Sequence, residues 1–426
     1  VGFLSFLKSK PEPATTTVTA ADSAPAVAAP AAPVAEPAEQ PSAIITRAEI
    51  VDDRQRLSGY RFSAALPETA SIDALLAAGV AKFAQSRIAL VPLSAEAVAA
   101  GLHLPLLAPH TVFLLDRQAA EAIAALRAAG SKVALRGVAL DAQLPAADLV
   151  LLSLNDYPLD GFQALCRQLQ QRYPDLKLVV DGVESWDEQR LCASLGATYF
   201  MGPFLTTSDK VDADAKIDQS RMTSIELLNL LRTDAELPAM IEVAKRDPGM
   251  TYQVLQWANA PANGQTTKVT SLQQAFMVLG RNQLYRGLTV SMFRLGGGAN
   301  KDRDESLLEV ALTRARFLET CSTLPQAKRD ELFLVGLLSL FDVLLGVPMA
   351  SLVGKMHLSD EIRDVLLGQE SVYSPYLTMV LLLQRDKVEA ALEIAATLEI
   401  DIDALPGVGQ GAFEWAQAAM HHTGAD

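Results

Sequence analysis

Side chains able to do chemistry are sparse along this chain of 426 residues. Its three cysteines, Cys166, Cys192 and Cys321, are too few and too scattered for a disulfide framework or a metal knuckle. Such usage is expected in a reducing cytoplasm. Cys166 shares the helical stripe Phe162, Leu165, Cys166 and Leu169, so it reads as core rather than nucleophile. Among the five histidines, His357 precedes a helix start and reads as a loop residue. The terminal pair His421-His422 would bind a stray metal or else form a solvated tail. Cations are more concentrated: Arg281, Arg286 and Arg294 lie around and after LGRNQL, ahead of Gly296-Gly297-Gly298 and the charged KDRDE run. On a chain of net charge −14, exposed cations would steer an acidic protein partner. The alternative is a solvated network in which these arginines pair with Asp302, Asp304 or Glu305.

The elements that position these residues divide at clear punctuation. Residues 1–10 hold a short apolar piece, Val1 to Leu7, followed by Lys8 and Lys10. It lacks the long apolar region and cleavage site of a secretory signal, and reads as a frayed terminus or a weak membrane or partner peg. Residues 11–42 are Ala, Pro, Thr, Val and acids, with seven prolines from Pro11 to Pro41, a composition expected of a disordered linker. No stretch reaches the roughly 20 unbroken apolar residues of a membrane span. The nearest, Phe333 to Val347, carries Asp342 in its middle. With 50 acidic against 36 basic residues and 6% aromatics, neither phosphate tracking nor base stacking is expected, so nucleic acid is excluded as a partner. A cytoplasmic protein is the expectation.

Residues 43–207 show βα character. Ile44–Val51 and Leu57–Ser63 are strand-like runs joined through Asp52-Asp53-Arg54, a hairpin turn. Six further short apolar runs follow: Arg87–Leu93, Val112–Leu115, Lys132–Leu135, Leu149–Leu154, Leu176–Val180 and Thr198–Met201. Helical stripes such as Ala119, Ala122, Ile123 and Leu126 alternate with them, which predicts an α/β sheet or a TIM-like barrel. The region is short for a complete barrel, which leaves a complete and an incomplete barrel both open. Residues 208–220 are polar and predict an interdomain joint. From 221 to 422 the pattern is helical: Asp247-Pro248 opens one helix, and Ser271 opens another whose stripe Leu272, Ala275, Phe276 and Leu279 stops at Gly280. Glu331–Leu345 and Tyr376–Gln384 are apolar on nearly all sides, as central helices are. An all-α bundle is expected.

Several separated segments, in order, carry a resemblance. RDPGMTYQVLQWANAP, TSLQQAFMVLG, GLLSLFDVLLGVPM and LSDEIRDVLLG resemble the HDOD domain, a helical module of bacterial signalling proteins, over roughly Met222 to His421. HDOD domains look like relatives of HD phosphohydrolases, whose metal site needs a His-Asp pair. Here Ser339-Leu340 stands in the corresponding helix, so no hydrolytic site of that kind is implied.

The α/β half resembles an EAL domain, the barrel that hydrolyses cyclic di-GMP, through its hairpin, ADLVLL, VVDGVES and GATYFMGPF. The order EAL then HDOD is similar to a family of degenerate EAL–HDOD proteins. An active EAL site holds two divalent metals on acidic residues with an Asn and a Lys at strand ends. By the resemblance, Arg61-Phe62-Ser63 stands where Glu-x-Leu belongs, and Pro92 replaces the Asn. The expected Glu falls on or beside Leu115, next to Asp116. Arg136-Gly137-Val138 replaces Asp-Asp-Phe, Leu151 the Lys, Ser153 the following Asp and Met201 the Gln. Only Asp181 and Glu184 stay acidic. Two unit charges about 4 Å apart interact by about 4 kcal/mol at a dielectric of about 20, and a dication doubles that, so arginines at ligand positions oppose metal.

The expectation is therefore no catalytic site, no metal and no cofactor, in a signalling protein that works through protein partners not identifiable from sequence. One alternative is a metal-free sensor of cyclic di-GMP or another phosphate ligand, gripped by Arg61 and Arg136 with Asp181 and Glu184 nearby. In the structural version of the same residues, the arginines pair internally with those acids. A residual phosphodiesterase is the remaining alternative.

Overall fold

A computed structural model describes residues 43–140, 142–209, 217–260, 268–294 and 300–421. Its first half is built on β1 (Ile45–Asp52), β2 (Leu57–Ala64), β3 (Ile88–Pro92), β4 (Thr111–Asp116), β5 (Lys132–Arg136), β6 (Leu149–Ser153), β7 (Lys177–Asp181) and β8 (Ala197–Phe200). Neighbours in sequence are neighbours in the sheet, β2 to β8 run parallel, and β1 pairs antiparallel with both β2 and β8. The barrel is closed, which corrects the alternative of an incomplete one. The hairpin explains how so short a region suffices, because antiparallel strands need no crossover helix. Its turn is held by Asp52, whose Oδ1 accepts the backbone N–H groups of Arg54 and Arg56 at 2.9 Å each.

Period-two alternation sorts each strand into two faces. Inside the barrel Ile50, Leu90, Val112, Leu114, Val179 and Met201 pack as one apolar cluster with Leu151 and Tyr199 against it. Outward residues such as Phe62, Phe113 and Val180 join the much larger core under the helices. The expected stripe Phe162, Leu165, Cys166 and Leu169 is buried, as are Ala122, Ile123 and Leu126. Burial pushes the thiols of Cys166, Cys192 and Cys321 up to about 12, 11 and 12, so none is a thiolate at neutral pH.

From Gln219 onward the described chain is helical. The Lys301–Cys321 helix is buried along most of its length and is crossed closely by Gln326–Leu338. A Cβ on Gly336 would fall 2.4 Å from Ala315 Cα, so this crossing requires glycine. Asp247 caps the Pro248–Ala258 helix through the Met250 N–H, and Ser271 caps the next through Gln274. Gly280 interrupts that helix with φ +68°, yet the chain resumes helix to Ser291, so the glycine kinks where a stop was expected. The run Glu331–Leu345 breaks into two helices at Ser339-Leu340, where Leu340 leaves helical geometry with φ −119° and ψ 10° and Ser339 Oγ donates to the Gly336 carbonyl at 2.8 Å. Tyr376–Gln384 is not central: Tyr376, Met379 and Val380 are buried, but Leu381, Leu382 and Leu383 are only partly so. Among the described residues no helix is long and apolar enough to cross a membrane. Residues 1–42, most of the 208–220 joint, Gly296-Gly297-Gly298 and His422 lie outside the described residues.

The two halves meet through polar groups as well as aromatic rings. Glu309, on the Lys301–Cys321 helix, accepts from Tyr60 Oη at 2.7 Å, from Arg87 at 2.9 Å and from Gln417 at 2.5 Å. Burial and the adjacent Glu309 carboxylate hold the Tyr60 phenol protonated, which fixes it as donor. Phe413 stands edge-on to Tyr60 with ring centroids 5.3 Å apart, and Arg47 lies 4.4 Å over Phe413.

Glu49 on β1 faces the same junction. Burial raises its carboxyl from the ordinary 4.5 to about 7, against the opposing pull of its own backbone N–H and of Arg314. Between those two values the folded protein holds a proton that the unfolded chain has released. This group's contribution to stability therefore falls as pH rises through that window, by up to about 3 kcal/mol. Glu49→Gln should match wild type near pH 5 and exceed it at pH 8, as read from urea midpoints. Equal midpoints at pH 8 contradict this.

Candidate functional site

The alternation that buries Leu90, Leu114, Ala134 and Val179 inside the barrel places Pro92, Asp116, Arg136, Ser153 and Asp181 on the inward face at the strand ends. This mouth is where βα barrels gather the residues that do chemistry. Arg61 reaches across from β2 to β7, its Nη1 donating to Asp181 Oδ2 at 2.5 Å, with both side chains about a quarter exposed. Asp181 Oδ1 accepts the Gly182 N–H at 2.9 Å. Both carboxylate oxygens are thus engaged by this chain itself. A charge-assisted, partly shielded bond of this kind contributes about 1–3 kcal/mol.

The other residues singled out in sequence do not join this pair. Glu184 is exposed, and its backbone N–H is taken by Glu188 Oε2 at 2.7 Å as part of the capping box that starts the Trp186–Ser194 helix. Arg136 is exposed at the end of β5, and its guanidinium makes no hydrogen bond or ion pair among the described residues. Asp116, the acid beside Leu115, spends Oδ1 on the Gln118 N–H at 3.0 Å. Leu115 itself is buried on the outer side. Leu151 and Met201 pack into the barrel's inner apolar cluster. Among the described residues, no three His, Cys, Asp or Glu side chains come together in a way that could hold a metal ion.

In the bundle, the expected surface group of arginines is corrected. Arg286 is buried, stacks 4.1 Å over Phe333, and pairs with Glu319 and with Asp330 at 2.9 Å. Arg281 is exposed but caps the preceding helix pair, donating to the Ala235 carbonyl at 2.8 Å and lying 3.6 Å from Asp234. Arg294 is half-buried, and burial holds it below its ordinary value. The three do not present one cationic face. The KDRDE run opens a helix, and its Asp304 is buried between Arg221 and Arg303 at 3.0 Å each. Helical geometry rather than loop geometry sets these contacts, which is why residue type alone mispredicted them.

Sequence reasoning missed the Glu309 junction. A signal was present: Ser306-Leu-Leu-Glu-Val-Ala-Leu sets an acid inside an apolar helical run, and a buried acid needs partners. At the helix break, Ser339 accepts from Arg314 at 2.7 Å and Leu340 is buried. His357 is exposed, with its backbone N–H on Asn229 Oδ1 at 2.8 Å.

Comparison with known proteins finds a family match within the helical half. The HDOD domain family model matches residues 222–347. The chain is 24% identical over 226 residues to the uncharacterized protein YuxH of Bacillus subtilis, covering 53% of this chain and 55% of that protein. It is 21% identical over 232 residues to the cyclic di-GMP phosphodiesterase CdgJ of Vibrio cholerae, covering 53% and 52%. The chain spans about half the length of the curated relatives it matches. Similar solved structures include an EAL domain protein from Listeria monocytogenes, at 16% identity and TM-score 0.29 over 38% of this chain and 87% of that one. Another is the Bacillus subtilis YkuI protein in complex with c-di-GMP and calcium, at 12% identity and TM-score 0.32 over 56% and 73%.

Proposed function

We propose that this chain, a closed EAL-type barrel followed by an HDOD domain, is a non-catalytic signalling protein that acts by binding other proteins. The observation that carries the reading is the pair Arg61–Asp181 at the barrel mouth. A metal-dependent phosphodiesterase needs carboxylates free to hold two dications, and this acid is held by a cation of the protein's own. A dication displacing that bond would lie against Arg61, where repulsion of about 8 kcal/mol at 4 Å and a dielectric of about 20 acts on it.

The residues present do not fit a two-metal centre. Pro92 offers no side-chain ligand, Leu151 no base, and Met201 sits within the apolar interior. One relative is named as a cyclic di-GMP phosphodiesterase, and an association with cyclic di-GMP signalling is proposed here without turnover.

A second reading has one observation in its favour. The Arg136 guanidinium at the mouth is exposed and uncommitted among the described residues, and such a fork suits a phosphate. In that reading the barrel senses cyclic di-GMP without metal. Calorimetric titration of cyclic di-GMP into the full chain separates the two. The adaptor gives no heat, whereas binding that survives EDTA and disappears in Arg136→Ala establishes the sensor.

A further inference from the structure

Buried guanidinium groups in this protein are generally matched by acids: Arg87, Arg221, Arg286 and Arg303 each face a carboxylate within 3.0 Å. Arg47 and Arg314 differ. Arg47 donates to the Ile45 carbonyl at 3.1 Å and to Gln410, and Arg314 donates to Ser339 Oγ at 2.7 Å and Gln384 Oε1 at 2.9 Å. All these acceptors are neutral. The Nε of each arginine is buried with no hydrogen-bond partner.

Both arginines line the same cavity, of about 80 Å³, where β1 meets the bundle helices Lys301–Cys321, Ser374–Gln384 and Leu405–His421. Its walls are otherwise largely apolar, with Val310, Phe317, Val380 and Leu383 among them. Burial lowers both guanidinium groups to about 10, outweighing the pull of Tyr60 and Glu414 on Arg47 and of Glu49 and Asp342 on Arg314, none of which bonds to them directly. Glu49 also lines the cavity, but neither guanidinium donates to it, and burial pushes its carboxyl toward the neutral form. Water would supply hydrogen bonds but no charge.

We infer that this cavity binds a short-chain organic carboxylate, its anionic end toward Arg47 and Arg314 and its alkyl tail on Val310, Phe317, Val380 and Leu383. The volume is below the roughly 150 Å³ that accommodates benzene, which excludes nucleotides and favours a tail of few carbons. Glu49 disfavours a dianion such as phosphate. Because the walls come from both the barrel and the bundle, an occupant would fasten the two together. The site is separate from the barrel mouth and does not depend on what the mouth does.

Propionate is the probe. Titrated into the full chain at pH 7, it should bind one-to-one and raise Tm, while chloride and inorganic phosphate at equal concentration do neither. Gly409 lines the cavity, and a Cβ there would sit 3.9 Å from Phe317, so Gly409→Leu should fill the space. Its propionate affinity should drop about tenfold or more with the helical circular dichroism retained. Arg314→Gln should weaken binding to a similar degree, and if that variant does not fold, Gly409→Leu decides alone. No heat with millimolar propionate, unchanged affinity in Gly409→Leu, or equal heat from phosphate or chloride overturns the assignment.

Discussion

Replacing Glu309 by alanine should cost about 3–5 kcal/mol and uncouple the barrel from the bundle, the loss expected when one partner of a buried ion pair is removed. Four contacts go at once: Tyr60, both oxygens' bonds to Arg87, and Gln417. The Arg87 cation is then left between the Tyr60 and Phe83 rings, 5.6 and 5.3 Å from their centroids, with no acid to balance it. Tyr60 and Arg87 belong to the barrel half and Glu309 to the bundle, so most of the loss falls on the join, and only the Gln417 bond lies inside the bundle. Calorimetric melting should show one transition for wild type and two for Glu309→Ala. Glu309→Gln keeps the shape and part of the hydrogen bonding, so its loss should be smaller. A Glu309→Ala protein that melts once, within about 1 kcal/mol of wild type, contradicts the role assigned to this acid.

Arg286→Glu should abolish folding of the bundle. The wild-type guanidinium stands between Glu319 and Asp330, with Phe333 beneath it. Arg316 adds a bond of 2.7 Å to Glu319 and Gln326 one of 2.8 Å to Asp330, which hold both acids toward the same point. The reversal would bring a third carboxylate into a buried site and leave one cation to serve all three. Arg286→Met, which keeps the bulk over Phe333, removes only the charge and should cost about 3–5 kcal/mol. Circular dichroism checks the first and urea unfolding the second. A fully helical Arg286→Glu protein would place the side chain at the surface after all.

These two positions show which parts of the molecule are legible in its sequence. Strands were readable because each is a short apolar run bounded by polar turns, and the hairpin because Asp52 and its neighbours punctuate it. Closure was not, since it depends on β1 pairing with β8 across some 150 residues, and periodicity carries no such register. Arg286 was misjudged for a related reason. Its neighbours Asn282 and Gln283 and the downstream KDRDE run look like surface, but its partners lie 33 and 44 residues away on two other helices. At the barrel mouth Arg61, Pro92, Arg136 and Asp181 were visible one by one. That Arg61 reaches Asp181, and that Glu184 turns outward, required the strands to be placed in space. The cavity between the halves could not be foreseen, because Arg314 joins Arg47 and Glu49 of β1 only when barrel and bundle dock.

On the proposed reading the barrel performs no metal-dependent hydrolysis. The most direct test incubates the full chain with cyclic di-GMP and Mg²⁺ or Mn²⁺, with linear product followed chromatographically. Product should be no higher than in a buffer blank, because Arg61 occupies Asp181 while Pro92, Arg136 and Leu151 supply neither ligands nor a base. Turnover above that blank, abolished by EDTA, would contradict it.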